Sequence, residues 1–231
     1  MPITAVAALA VLGSAGAYVY FFSGLRTSPP SLALASPSAS PSNATSASAG
    51  TWQIASGSVV GYRVKEQFVG QTSSHEAVAR TGDVTGQVTI GQSGTSYQMT
   101  SANVTVQLAN LASVDQVAGY NVTNRDRIVQ RSLSVSSFPT AVFEAQSVSL
   151  PAGAETGQTV TVSVPGRLTV HGVTKVVTAT LQLRVSGSTA QIAGSIPTNM
   201  TDYGISPPTS FIALSVEDHG TMELQLMFTH A

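Results

Sequence analysis

Apolar and polar residues alternate along most of the chain, and that period of two limits what it can become. Val160, Val162, Val164, Leu168 and Val170 alternate with Thr161, Ser163, Arg167 and Thr169. After a turn at His171-Gly172 come Val177, Ala179, Leu181, Leu183 and Val185. The same spacing runs through Val60, Tyr62 and Val64, through Val84, Gly86, Val88 and Ile90, and through Val104, Val106 and Leu108. It closes with Met222, Leu224, Leu226 and Phe228. Successive side chains of a strand point to opposite faces, so each run makes a strand with one apolar face. Turn-forming stretches at 91–94, 151–157, 186–188 and 218–220 separate the runs. About seven to nine such strands predict an all-β sandwich or closed barrel, and their length with one apolar face favours an antiparallel barrel with an apolar interior.

One stretch departs from this pattern. Residues 121–131 are polar and dense in charge and predict a short helix, with Thr123 as its cap and Asp126 completing a capping box. Ile128 and Val129 would seat that helix on the barrel.

The N-terminal portion is of another kind. Ile3 to Phe22 carries no charge, and twenty residues at about 1.5 Å each span roughly 30 Å, the thickness of a bilayer core. Residues 1–23 therefore read as a transmembrane signal-anchor. The alternative is a cleaved signal, for which the Ala-x-Ala pattern at Ala33–Ala35 lies far beyond the apolar run. Residues 24–50 read as a disordered linker: 18 of the 24 residues from Thr27 to Gly50 are Ser, Ala or Pro, a composition that buries too little apolar surface to offset its ordering entropy. Residues 51–231 form the folded domain. This arrangement predicts a single-pass protein of the cell membrane with its barrel on the extracytoplasmic side.

Composition excludes several classes of function. Charged residues are 9% of the chain and the net charge is -1, which leaves no electrostatic footprint for nucleic acid. There is no cysteine, so no disulfide, thiolate chemistry or thiolate-held metal. His75, His171, His219 and His230 show no metal-ligand spacing. No Gly-x-Ser-x-Gly elbow or phosphate-binding glycine loop occurs, and no cofactor is expected. An enzyme would need His171, Asp126 and Arg125 to converge. Each also has a plainer reading: a turn histidine bonded to backbone, and a helix start with a local ion pair.

Residues 51–231 resemble the YceI-like family of lipid- or polyisoprenoid-binding barrels. The resemblance rests on Phe138-Pro-Thr-Ala-Val-Phe-Glu-Ala145, on Gly166-Arg-Leu-Thr-Val-His-Gly-Val-Thr-Lys175, on Arg125-Asp126, on the opening Gly57-Ser-Val-Val-Gly-Tyr-Arg-Val64, and on Asp202-Tyr-Gly-Ile205. It implies an extended lipocalin-like fold of eight antiparallel strands with a short helix, and a tunnel for an isoprenoid chain, an isoprenoid quinone or a similar amphipathic lipid. Small inward residues would leave such a tunnel partly vacant. The ligand-binding candidates are Tyr62, Phe138, Phe143, Val164, Leu168, Val170, His171, Leu181, Ile212, Leu214, Leu224 and Leu226, with Arg125 and Asp126 as polar groups near the mouth. The partners are then a lipid ligand and the membrane; a homodimer is also open. The competing reading is a structural or adhesive β-domain on a stalk, with a filled core and its function on surface loops such as 71–80.

Overall fold

The computed structural model describes residues 26–36, 49–69, 74–117, 121–208 and 213–231. The apolar run 3–22, read as an anchor, lies outside them. Among the described residues no helix is long and apolar enough to cross a membrane.

In chain order the elements are β1 (Arg26–Thr27), β2 (Gly50–Ile54), β3 (Val59–Phe68), β4 (His75–Thr81), β5 (Val84–Ser93), β6 (Ser96–Gln107), β7 (Ala112–Ser113) and β8 (Gln116–Val117). There follow helix α1 (Thr123–Ser132), β9 (Thr140–Ala145), β10 (Val148–Ser149), β11 (Val160–Val170), β12 (Val173–Ser186), β13 (Thr189–Asn199) and β14 (Ala213–His230). Every pairing is antiparallel. The order β14-β2-β5-β6-β9-β11-β12-β13 returns to β14 through the β13–β14 ladder, which closes an eight-stranded barrel. Closure removes the open edges that an antiparallel sheet would otherwise expose. The long strand β14 serves two neighbours on one flank. Its Phe228–His230 end pairs with β2, and its Ala213–Gln225 part pairs with β3.

Register decides which side chains enter the barrel. Val60, Tyr62, Val64 and Glu66 share one face of β3, opposite Thr81, Ala79, Ala77 and His75 of β4. Val164 faces Ala179, and Leu224 faces Gly194. The packed interior forms two clusters. Val164, Leu168, Val170, Ile196 and Tyr203 belong to one, and Trp52, Leu183, Val185, Leu226 and Phe228 to the other.

The expected capping box does not form. The α1 N-cap is Val122, without a side-chain bond, and Asn121 Oδ1 instead accepts the backbone N–H and hydroxyl of Thr123. Asp126 points away to Ser113, accepting its N–H at 3.0 Å and its hydroxyl at 2.6 Å, which ties α1 to β7. Val129 faces the barrel interior, whereas Ile128 lies in an outer crevice beside Arg127 and Arg131.

The linker expectation also needs correction over residues 26–36, which lie along the outside of the barrel. β1 pairs with β8. The Ser28 hydroxyl donates to the Glu76 carbonyl, and Arg63 Nη2 and Arg80 Nη2 donate to the carbonyls of Pro29 and Pro30, each at 2.6 Å. Leu32 N–H donates to Glu223 Oε2, and Arg184 donates to the Ala35 carbonyl. Beneath this strap, Glu223 receives Arg63 Nε at 2.6 Å and Arg80 Nε at 2.8 Å. Composition measured only the apolar surface that the strap could bury. It did not anticipate that outward-facing guanidinium groups would find backbone carbonyls there. Residues 37–48 lie outside the described residues.

Burial tends to raise the Glu223 pKa, but hydrogen bonds from Arg80, Arg63 and Leu32 outweigh it and hold the carboxyl below its ordinary range. Removing it leaves Arg63, itself 8% exposed, without its buried partner. Glu223→Ala is therefore expected to release the strap. Limited proteolysis with a broad-specificity protease should then cut within residues 28–36 well before wild type does. Equal cutting rates would mean that the ion cluster does not hold the strap.

Candidate functional site

The barrel encloses a cavity of about 310 Å³ that reaches residues of both packed clusters. Val88, Val104, Val106, Ala141 and Leu224 line it, all only partly buried. These inward side chains are mostly short, so opposite walls do not meet across the lumen. An apolar void of this kind takes apolar ligands, and the volume is at the lower end of small-molecule sites.

One end of the lumen is polar. Glu66 and Arg125 line it, and His75 and Asp115 stand behind them. Arg125 forks onto Asp115, with Nη1 2.7 Å from Oδ1 and Nη2 2.9 Å from Oδ2. Its Nη2 also lies 2.8 Å from Glu66 Oε1, an ion pair without hydrogen-bond geometry. His75 Nε2 is 2.7 Å from Asp115 Oδ2, and the Val78 N–H donates to Asp115 Oδ1. The register of β3 explains this placement: Glu66 follows Tyr62 and Val64 on the same inward face, and His75 faces it from β4.

The two acids respond to burial differently. Burial tends to raise the Asp115 pKa, but hydrogen bonds from His75 and Arg125, the Arg125 charge and the Val78 N–H overturn it, and the carboxyl sits far below its ordinary range. For Glu66 burial prevails over the attraction of Arg125 and His75, and its pKa is raised. Burial likewise pushes the Tyr62 phenol far up, keeping it a neutral hydroxyl. Glu66, His75 and Asp115 offer ligand atoms within 4.8 Å of one another. The cationic place among them is already taken by the Arg125 guanidinium, so the trio reads as an ion-pair network and not as a metal centre.

Of the residues singled out from sequence, Tyr62, Phe143, Val164, Leu168, Val170, Leu181, Leu224, Leu226 and Arg125 line the lumen. Phe138, His171 and Asp126 do not. Ile212 lies outside the described residues, as does the side chain of Leu214. Phe138 and His171 instead close the β11–β12 hairpin. Their rings meet edge to face at 5.0 Å, and a Cβ on Gly172 would come within 2.6 Å of the Phe138 ring. His171 takes a positive φ of 52° at the tip, with Nδ1 3.1 Å from the Tyr203 carbonyl and Nε2 3.3 Å from the Ser134 hydroxyl. Glycine at 172, with φ +74°, provides the room and the turn. Phe143 uses Gly166 in the same way, since a Cβ there would fall 2.5 Å from its ring. Thus the Phe138–Ala145 and Gly166–Lys175 motifs are two halves of one packing arrangement. Arg125 and Asp126 share Ser113 as a partner, but His171 bonds to Tyr203 and Ser134, so the three do not assemble a reaction site.

Sequence reasoning missed Glu66, His75 and Asp115. Period two could have found Glu66, the next inward position after Val60, Tyr62 and Val64. Nothing local marks Asp115, because the return of β7 against β4 brings it in.

An eight-stranded closed barrel with an apolar lumen and a helix at one end belongs to the class of small β-barrels whose interior can hold one ligand. The YceI-like domain model matches residues 52–228, and the chain belongs to that family. Among solved structures, a polyisoprenoid-binding domain from Saccharophagus degradans, implicated in plant cell wall breakdown, is similar at a TM-score of 0.56 and 14% identity, covering 80% of this chain and 100% of its own. BcnA of Burkholderia cenocepacia is similar at a TM-score of 0.51 and 19% identity, covering 74% and 95%. At these identities the likeness establishes the fold. Comparison with curated proteins gives no match.

Proposed function

We propose that the barrel is a binding protein that holds one long apolar ligand, an isoprenoid chain or similar lipid, in its lumen. The observation that carries this reading is the cavity of about 310 Å³ between walls that are mostly Val, Ala, Leu and Ile, with Glu66 and Arg125 at one end. Each buried methylene contributes roughly 0.8 kcal/mol, so a prenyl chain needs few polar contacts to bind tightly. The polyisoprenoid-binding description of the similar Saccharophagus domain supports the same class of ligand. A stalked adhesive domain has no use for such a space.

The uncharged apolar run 3–22 supports a further part of the proposal: residues 1–23 anchor the chain in the cell membrane and the barrel lies on the extracytoplasmic side.

Purified protein should release a lipid on denaturing extraction, identified by mass spectrometry. The emptied protein should bind geranylgeraniol and lose a hydrophobic dye from its interior as it does so. Recovery of protein with no lipid, combined with no binding of prenyl compounds, would end this reading.

A further inference from the structure

We infer that the polar end of the lumen selects a prenyl chain with an uncharged oxygen-bearing head, an alcohol or carbonyl, over one ending in phosphate. This inference rests on the lumen reading and assigns the head chemistry within it.

The argument starts from charge. Glu66 and Asp115 place two carboxyl groups around one guanidinium, that of Arg125. Both terminal nitrogens of Arg125 are already engaged, with Asp115 at 2.7 and 2.9 Å and with Glu66 at 2.8 Å. Bidentate engagement by a carboxylate occupies the same fork that would grip a phosphate. A phosphate head arriving here would meet two acids and a cation already matched to them. Removing it from water without a free counter-charge is costly.

Neutral hydrogen-bonding groups, by contrast, are at hand. Tyr62 lines the lumen close enough to Arg125, Glu66 and Asp115 to feel their charges, and burial keeps its phenol protonated. Tyr203 lines the same lumen, is 2% exposed, and its hydroxyl has no hydrogen-bond partner among the described residues. A phenol can donate to an alcohol or carbonyl oxygen and can accept from an alcohol. A buried hydroxyl without a partner is unfavourable, so a head that supplies one is favoured.

Three probes of equal chain length separate the possibilities: geranylgeraniol, geranylgeranyl monophosphate and the matching hydrocarbon without a head. Titrated into delipidated full chain, the alcohol is expected to bind at least about tenfold more tightly than the monophosphate. Tyr62→Phe should weaken the alcohol about five- to tenfold while leaving the hydrocarbon unchanged. Glu66→Gln removes one acid and should raise monophosphate affinity. A monophosphate that binds as tightly as the alcohol to wild type, while the hydrocarbon also binds, overturns the head assignment alone. If none of the three binds, the lumen reading falls and this inference with it.

Discussion

Asp115→Asn is expected to lower stability by about 3–4 kcal/mol, because it removes the charge that a buried guanidinium depends on. For a domain of this size that corresponds to a fall in melting temperature of roughly 10 °C. Asp115 is fully buried and serves Arg125, His75 and the Val78 N–H at once. Glu66→Gln, only one contact away, is expected to stay within about 1 kcal/mol of wild type at neutral pH, since burial there already works against the charged form. The pH dependence separates the two acids. Asp115 has a depressed folded pKa, so its stabilisation is present above the ordinary carboxylate range and is lost as pH falls through the folded value. Glu66 has a raised folded pKa, so its contribution is present below the ordinary range and is lost as pH rises through the folded value. Thermal melts between about pH 3 and pH 8 should show a shallower acid limb in Asp115→Asn, and no loss on the neutral side in Glu66→Gln. Equal losses from both substitutions at neutral pH would show that the network does not divide in this way.

The fold was legible because the alternation of Val, Leu and Thr fixes which face of each strand is apolar. Eight of the proposed site residues, all on strands, consequently line the cavity. Phe138 and His171 misled because an aromatic and an imidazole beside a turn look the same whether they touch a ligand or each other. Only the hairpin geometry, with Gly172 beneath the Phe138 ring, decides between these. The polar end was opaque for another reason. Glu66, His75, Asp115 and Arg125 come from four separate segments, and no local pattern predicts that a loop aspartate will lie between a strand histidine and a helix arginine. The strap was hidden in the same way. Pro29 and Pro30 counted towards a linker by composition, yet their carbonyls are the acceptors for Arg63 and Arg80.

Ala141→Trp tests whether ligand and lumen coincide. Ala141 faces inward on β9 opposite Val106, is only partly buried and borders the cavity. An indole there extends into space that is empty, so it displaces few packed side chains, and overpacking should cost no more than about 1–3 kcal/mol. Its effect on binding is larger. Denying a prenyl chain about four buried methylene equivalents removes roughly 3 kcal/mol, a loss of more than about 100-fold in affinity. Val176→Trp is the matching control, since Val176 is 82% exposed on the outer face and a tryptophan there leaves the interior alone. Geranylgeraniol titrations of both variants, read beside their melting temperatures, should show loss of binding in a folded Ala141→Trp and none in Val176→Trp. Undiminished binding by a folded Ala141→Trp would place the ligand elsewhere on the protein, because the cavity of about 310 Å³ cannot hold both an indole and the full chain.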